Sequence, residues 1–202
     1  MDLSCMHQLT YGLFVLSAAE NGKENGCIIN TAMQVTTTPN RILIAVNKQN
    51  YTHDMILHTG VFNVSILDQT APFSLFERFG FQSGRDTDKV AGLDVIHTEN
   101  GLFYPAQHVA SVLSGKVVQT MDVGTHTLFL ADVTDAVKVS GGTPLTYAYY
   151  HANVKPKPQP KADTGKKAWR CKICGYIYEG DPLPADFICP ICKHGAIDFE
   201  PA

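Results

Sequence analysis

The 202-residue sequence has no run of about 18 apolar residues, which excludes a membrane-spanning helix. Its start, Met1-Asp2-Leu3-Ser4-Cys5, lacks the basic and then apolar segments of a secretory signal and predicts a cytoplasmic location. Neither G-x-G-x-x-G nor G-x4-G-K-[ST] occurs, so Rossmann and P-loop nucleotide sites are not indicated. What remains is a chain that is 45% hydrophobic and only 17% charged, which is typical of a globular protein.

The formal net charge of −3 is spread unevenly and divides the chain into three parts. Residues 1–151 hold 8 basic and 13 acidic side chains, and residues 169–202 hold 3 basic and 5 acidic ones. Between them, residues 152–168 carry five Lys and three Pro, which predicts an inter-domain linker. Because neither larger part is basic, nucleic-acid binding has little electrostatic support.

Four of the six cysteines form the pattern C-x2-C-x14-C-x2-C near the end of the chain. They are Cys171, Cys174, Cys189 and Cys192. Paired C-x2-C units without a secretory signal indicate metal ligands rather than disulfides. Four thiolates suit either structural Zn²⁺ or a single redox iron. The surrounding aromatic residues favour iron, because shielding the sulfurs from water tunes a one-electron potential.

The first 151 residues are rich in short β-branched segments separated by turn formers such as Asn21-Gly22 and Asn25-Gly26. Two short helices are predicted, near 52–59 and 72–80, and the many strands indicate a barrel or a sandwich. The predicted strands are 11–19, 27–37, 41–46, 61–67, 109–120 and 127–134.

Three polar stretches stand between these strands, at 25–35, 47–53 and 82–89. Their amide, hydroxyl and cationic groups suit a phosphorylated, ring-bearing ligand. Ordinary turns and a solvated charged loop are the alternative interpretation of the same residues.

The tail, WRCKICGYIYEG followed by LPADFICPIC, resembles the rubredoxins. The resemblance implies that Cys171, Cys174, Cys189 and Cys192 bind one iron in a small rubredoxin-like domain. Two features depart from that family: the stretch between the cysteine pairs is shorter, and Lys193 stands where a glycine is usual.

The motifs N-G-x3-N-x3-Q-V-x4-P, N-K-x-N-x-T-H and F-x-x-S-G-R-D-x-D-K resemble those of the flavin reductase family. The resemblance implies a mainly β fold, an FMN-binding split β-barrel, followed by the rubredoxin-like domain. Together the two parts resemble the high-molecular-weight rubredoxin family, in which a flavin reductase is fused to a rubredoxin. The implied FMN ligands are Cys27, Asn30, Thr31, Gln34, Asn47, Lys48, Asn50, Thr52, His53, Arg85 and Lys89.

Gly124-Thr125-His126 resembles the family's G-D-H, which implies that His126 lies near the nicotinamide side of the flavin. The resemblance also implies a homodimer, NADH as the hydride donor and a flavodiiron protein as the electron acceptor. Two alternative functions remain open besides this electron transfer from NADH to a protein acceptor. One is an NAD(P)H:flavin reductase that releases reduced flavin and has a structural zinc-ribbon tail; the other is an electron carrier with no nicotinamide site.

Overall fold

The structure is a computed structural model that describes residues 3–156, 168–172, 175–189 and 195–201. The chain divides into two compact units, Met1–Lys155 and Pro156–Ala202. Most of the predicted linker, residues 157–167, lies outside the described residues. In the described part of the chain, no helix is both long enough and apolar enough to cross a membrane.

The first unit contains nine strands and two regular helices among its described residues. The strands are β1 Phe14–Glu20, β2 Lys23–Ile29, β3 Ala32–Thr37, β4 Asn40–Asn47, β5 Val61–Leu67, β6 Val95–His97, β7 Phe103–Pro105, β8 Val109–Asp122 and β9 His126–Lys138. The helices are α1 Tyr51–Thr59 and α2 Phe73–Gly80. Short helical segments cover Leu3–Gln8, Tyr147–Tyr149 and Tyr150–Val154.

Seven of the strands form one antiparallel sheet in the order β2-β1-β5-β8-β9-β4-β3, while β6 and β7 form a separate hairpin. Alternate residues point to opposite sides of the sheet. One side packs Leu16, Ile44, Phe62 and Phe129 against Met55 of α1 in the first hydrophobic cluster. This arrangement closes α1 onto the sheet and puts its N-terminal turn beside the end of β4.

Along β1, β5 and the first residues of β8, the opposite side of the sheet is covered by α2, by β7 and by the helical end of the unit. Phe76 of α2 lies against Tyr150, with ring centroids 4.6 Å apart, and Val154 packs on the same cluster. Val154 therefore extends the folded unit into the residues expected to begin the linker, 152–168.

The predicted strand 27–37 is two strands in the structure. β2 ends at Ile29 and β3 begins at Ala32, so Asn30 and Thr31 form the connection. The main-chain carbonyl of Thr31 accepts a hydrogen bond from Ala45 N–H (3.2 Å), which ties this connection to β4.

The second unit is built on a three-stranded antiparallel sheet in the order β11-β10-β12. These strands are β10 Ala168–Cys171, β11 Ile177–Glu179 and β12 Phe199–Pro201, with a 3₁₀ turn at Ala196–Asp198. Its core is an aromatic cluster in which Phe187 lies 5.3 Å from Phe199 and 4.7 Å from Tyr178, measured between ring centroids.

Candidate functional site

The junction between β4 and α1 places five predicted ligands around a helix N-terminus. Asn47 ends β4, and its Oδ1 accepts a hydrogen bond from Gln49 N–H (2.9 Å). Asn50 is the N-cap of α1 in an extended conformation (φ −72°, ψ 130°), and its side chain makes no capping hydrogen bond. The first N–H groups of a helix and its dipole favour an anion, so this turn suits a phosphate.

Cationic side chains surround the same turn. The guanidinium carbon of Arg85 lies 4.8 Å from the centroid of the Tyr51 ring, and Lys23 Nζ lies 5.0 Å from it. Arg85 Nη2 also donates to Asp54 Oδ2 (2.5 Å), which brings the 82–89 stretch onto α1. Lys48 Nζ donates to both carboxylate oxygens of Asp122 at 2.7 Å.

Thr52 and Cys27 are buried beneath this turn rather than exposed at it. Thr52 Oγ1 accepts a hydrogen bond from Asn25 Nδ2 (2.9 Å), and both side chains are almost fully enclosed. Burial raises the pKa of the Cys27 thiol, which the hydrogen bond from Thr52 and the charge of Lys89 offset only in part. Cys27 is therefore a protonated, weakly reactive thiol.

Lys89 has an internal role in this structure. Its ammonium is buried and donates to the carbonyl oxygens of Gly26 (2.9 Å) and Phe79 (3.2 Å). Burial lowers the pKa of Lys89, opposed by its interaction with Cys27. The side chain thus joins β2 to the end of α2, and its hydrogen bonds favour a structural role over a phosphate contact.

The β2–β3 connection presents Asn30 and Thr31, both half-buried. Thr31 Oγ1 donates to Asn30 Oδ1 (3.2 Å), so the two polar side chains lie together at the edge of the sheet. Gln34, on β3, is exposed and donates to Asn40 Oδ1 (2.8 Å), next to the turn of the β3–β4 hairpin.

Of the two predicted site histidines, His126 begins β9, and His53 of α1 contacts the next residue of that strand. His126 is paired with Asn47 in the β4–β9 register, and its Nδ1 lies 2.9 Å from Thr125 Oγ1. His53 is buried, with Nε2 2.8 Å from Thr127 Oγ1 and Nδ1 3.0 Å from Asp54 Oδ1. The structure therefore brings the 47–53 and 124–126 motifs together.

Sequence reasoning did not select Lys23, Tyr51, Asp54 or Thr127. Lys23 follows an Asn-Gly turn and looks like an ordinary solvated lysine, while Thr127 looks like a strand residue. A signal existed for Asp54, because it directly follows the His53 of a motif. The positions of the other three depend on contacts between distant segments.

In the second unit, two of the four predicted metal ligands are described, and they share one core. Cys171 and Cys189 are 1% and 0% exposed and pack with Phe199. Gly175 takes φ +81° after the first C-x2-C, a conformation that favours glycine, and its N–H donates to Cys171 O (2.9 Å). Cys174 and Cys192 lie outside the described residues. Two enclosed sulfurs with aromatic neighbours fit a metal that prefers thiolates.

Comparison with known proteins identifies both units. The family described as "Flavin reductase like domain" matches residues 6–156, and that described as "Rubrerythrin, rubredoxin-like domain" matches residues 169–200. The high molecular weight rubredoxin of Moorella thermoacetica is 39% identical, over 99% of each chain. The ferric-chelate reductase (NAD(P)H) of Archaeoglobus fulgidus is 36% identical, over 78% of this chain and 93% of its own.

Among solved structures, the Streptomyces globisporus NADH:FAD oxidoreductase SgcE6, in complex with NAD and FAD fragments, superposes with a TM-score of 0.65. It is 21% identical, over 79% of this chain and 92% of its own. This similarity shows that the fold is a flavin reductase-like split barrel. The flavin-binding fold and the rubredoxin-like domain indicate a flavin and an iron centre as cofactors. The chain is an oxidoreductase of the flavin reductase family that carries a C-terminal rubredoxin-like domain.

Proposed function

We propose that the protein takes hydride from NADH on an FMN bound to the barrel unit and delivers single electrons through a rubredoxin iron to a protein acceptor. The observation that carries this proposal is the fusion itself. A flavin reductase-like domain and a rubredoxin-like domain stand in one chain, and a relative of the same design is similar over 99% of both lengths. When bound, a flavin accepts two electrons as hydride and releases them singly, and a thiolate-bound iron exchanges one.

The N-terminal turn of α1 is the proposed phosphate site. Asn50 and Tyr51 supply the uncapped helix end, and Arg85 adds a cation 4.8 Å from the Tyr51 ring. Lys48 follows β4, and its ammonium, which is paired with Asp122, is a second cation beside this turn. Since an FMN phosphate is dianionic near neutral pH, these groups would orient it by charge-assisted hydrogen bonds.

The remaining predicted flavin ligands divide into two groups. Asn30 and Thr31 in the β2–β3 connection and Gln34 on β3 offer amide and hydroxyl groups and are assigned to the polar atoms of the flavin. Thr52, His53 and Cys27 are buried and would act from beneath, by holding the α1 turn in place. His126 is assigned to the nicotinamide side, because it pairs with Asn47 at the same end of the sheet.

Cys171, Cys174, Cys189 and Cys192 are the proposed iron ligands. The two that are described are enclosed by Phe199 and by partly buried rings, including Trp169 and Tyr176. This packing excludes water from the sulfurs of Cys171 and Cys189, and the Cys171 N–H donates to Tyr176 O (2.8 Å), which ties the end of β10 to the start of β11.

A homodimer is part of the proposal. It is supported by the side of β3, β4 and β9 that faces away from the first hydrophobic cluster. The register aligns Met33 of β3 with Leu43 of β4 and Leu43 with Leu130 of β9. Cross-strand partners point to the same side of a sheet, so these form a continuous apolar row. Met33 is 52% and Met121 55% exposed. A second copy would cover this face, and Leu130→Glu should shift the protein to monomers in analytical ultracentrifugation.

The acceptor we propose is a flavodiiron protein, and the cytoplasmic location remains a prediction. The test of the whole pathway is an anaerobic titration of the FMN- and iron-loaded chain with NADH. Both the flavin bands and the ferric-thiolate bands should bleach. The Cys171→Ser variant should bleach only in the flavin bands. Flavin bands that NADH leaves unchanged would favour the electron carrier without a nicotinamide site.

A second function has an observation of its own. The match to the Archaeoglobus relative takes up 93% of that protein but only 78% of this chain. A barrel of this kind therefore exists without the tail. The barrel unit would then be an NAD(P)H:flavin reductase that releases reduced flavin, and the tail a zinc ribbon. A preparation that contains zinc, and that loses its flavin on gel filtration after reduction, would favour this function.

A further inference from the structure

A chain of hydrogen bonds crosses the barrel unit and joins the 82–89 and 47–53 stretches to the start of β9. Arg85 Nη2 lies 2.5 Å from Asp54 Oδ2, and Asp54 Oδ1 lies 3.0 Å from His53 Nδ1. His53 Nε2 then lies 2.8 Å from Thr127 Oγ1. The chain therefore runs from the 82–89 loop, across the first turn of α1, to the second residue of β9.

We infer that His53 is a positioning residue, whose Nε2 accepts a hydrogen bond from the Thr127 hydroxyl and so fixes the start of β9 that carries His126. The role of His126 in this inference rests on the proposed function. The effect of His53 on the position of β9 does not depend on that function.

The surroundings of His53 determine how its two nitrogens are used. Burial raises the pKa of Asp54, but hydrogen bonds from His53 and Arg85 outweigh it and lower the pKa overall. Asp54 is thus an ionised carboxylate that accepts a hydrogen bond from Nδ1–H. We assign the other nitrogen, Nε2, as the acceptor for Thr127 O–H, 2.8 Å away. The ring is also held edge-on to Phe129, with centroids 5.6 Å apart, so it has one orientation.

The start of β9 needs such a support because it follows a tight turn. Val123 N–H donates to His126 O (3.0 Å), and Lys48 N–H donates to Thr125 O (3.1 Å). Gly124 between them has φ +95°. These main-chain bonds set the path of the turn, while the buried Thr127 side chain is held from inside the barrel by His53. His126, one residue earlier, points to the opposite side of the strand, so its direction depends on how Thr127 is held.

Long-range ¹H–¹⁵N spectra of the imidazoles test the chain without any activity measurement. The His53 signals are assigned by their loss in His53→Gln. We expect a protonated Nδ1 and an unprotonated Nε2, in both flavin-free and flavin-loaded protein. In the same spectra the His126 signals should shift in Thr127→Val and stay in place in Thr127→Ser. A proton on Nε2, or unchanged His126 signals in Thr127→Val, would overturn the inference.

Substitutions then separate the two hydrogen bonds of His53. Gln can place its amide oxygen near the Nε2 position and keep an acceptor for Thr127, whereas Asn reaches only the Nδ1 position. We expect His53→Asn and Thr127→Val to slow reduction of the bound flavin by NADH about tenfold at saturating NADH. His53→Gln should recover most of this loss. Combining His53→Asn with Thr127→Val should add little, because both remove the same contact.

Ser17→Ala is the matched control for a merely structural loss. Ser17 Oγ donates to Phe103 O (2.6 Å) in a fully buried position on the other side of the sheet. This variant should lose stability like Thr127→Val but keep the wild-type rate and the wild-type His126 signals. Equal slowing in both variants would overturn the positioning role. Failure of the wild-type protein to oxidise NADH would refute the proposed function, and the His126 signals would still decide the inference.

Discussion

Replacing Lys89 with Met should destabilise the barrel unit while leaving flavin affinity unchanged. Lys89 is 3% exposed, and its ammonium donates to the carbonyl oxygens of Gly26 and Phe79. Met fills nearly the same volume but has no donor. The substitution therefore leaves two buried carbonyl groups without this partner and removes one buried charge.

The expected loss follows from these opposing effects. Each buried carbonyl that loses its partner costs about 1–3 kcal/mol, and removing the desolvated charge returns part of that cost. We expect a net decrease in the free energy of unfolding of about 2–4 kcal/mol. For a domain of this size, such a change lowers the melting temperature by roughly 5–15 °C.

The pH dependence of stability gives a second signature. Because burial lowers the pKa of folded Lys89, the unfolded chain binds more protons when the pH lies between the folded and the unfolded pKa. The contribution of Lys89 to stability therefore rises with pH across that alkaline window. The Lys89→Met variant should lack this rise.

Thermal unfolding and isothermal titration with FMN and riboflavin measure the two effects separately. Lys116→Met is the control, because Lys116 is exposed on β8 and should change neither quantity. If Lys89 bound the phosphate, the variant would lose about tenfold or more in FMN affinity but keep riboflavin affinity. That result, with an unchanged melting temperature, would refute our interpretation of the buried ammonium.

The remaining predictions concern the other groups of the two units. Cys171→Ser or Cys192→Ser should abolish the ferric-thiolate absorption and leave flavin binding intact, because the chain divides into two compact units. Arg85→Ala should weaken FMN binding by about tenfold or more and barely affect riboflavin, as measured by fluorescence titration. Deletion of 169–202 should preserve bleaching of the flavin by NADH in stopped flow but sharply reduce steady-state delivery to a protein acceptor. The ionised Asp54 stabilises the fold above its unfolded pKa, and this contribution is lost as the pH falls through its lowered folded pKa. Asp54→Asn should remove this contribution, which chemical unfolding at a series of pH values measures.

Several outcomes would contradict these expectations. Loss of flavin together with iron in the cysteine variants would show that the two units depend on each other. Equal weakening of FMN and riboflavin in Arg85→Ala would assign Arg85 to the fold, through Asp54, rather than to the phosphate. Unchanged electron delivery after the deletion would remove the tail from the electron path, and equal acid sensitivity in Asp54→Asn would assign the effect to other carboxylates.

The sequence predicted those strands and helices that are marked by residues close together in the chain. β5 Val61–Leu67 coincides with its predicted range, because a β-branched run ends at clear turn residues there. The break at Asn30-Thr31 was missed, since residues with strand propensity stand on both sides of it. The hairpin of β6 and β7 was also missed, because its strands have three residues each and are recognisable only through their pairing.

In the candidate site, too, the sequence predicted what neighbouring residues determine and not what contacts between distant segments determine. The motif at 47–53 was located from its residues, but the burial of Thr52 and His53 depends on Asn25 and Thr127, which come from other strands. Lysine is rarely buried, so nothing in the sequence marks Lys89 as internal. Its position depends on two carbonyl groups that only the folded chain brings together.

The order of strands explains why distant motifs meet at one end of the barrel. β4 lies between β3 and β9, so the residue that ends β4, Asn47, pairs with the residue that begins β9, His126. α1 starts four residues after Asn47 and packs back across β1 and β2, which carries Thr52 to Asn25. The chain leaving α2 then returns over β2, where Arg85 reaches Asp54. A change in any one motif should therefore be felt at the others through α1, and the His53 and Arg85 variants measure the two ends of that connection.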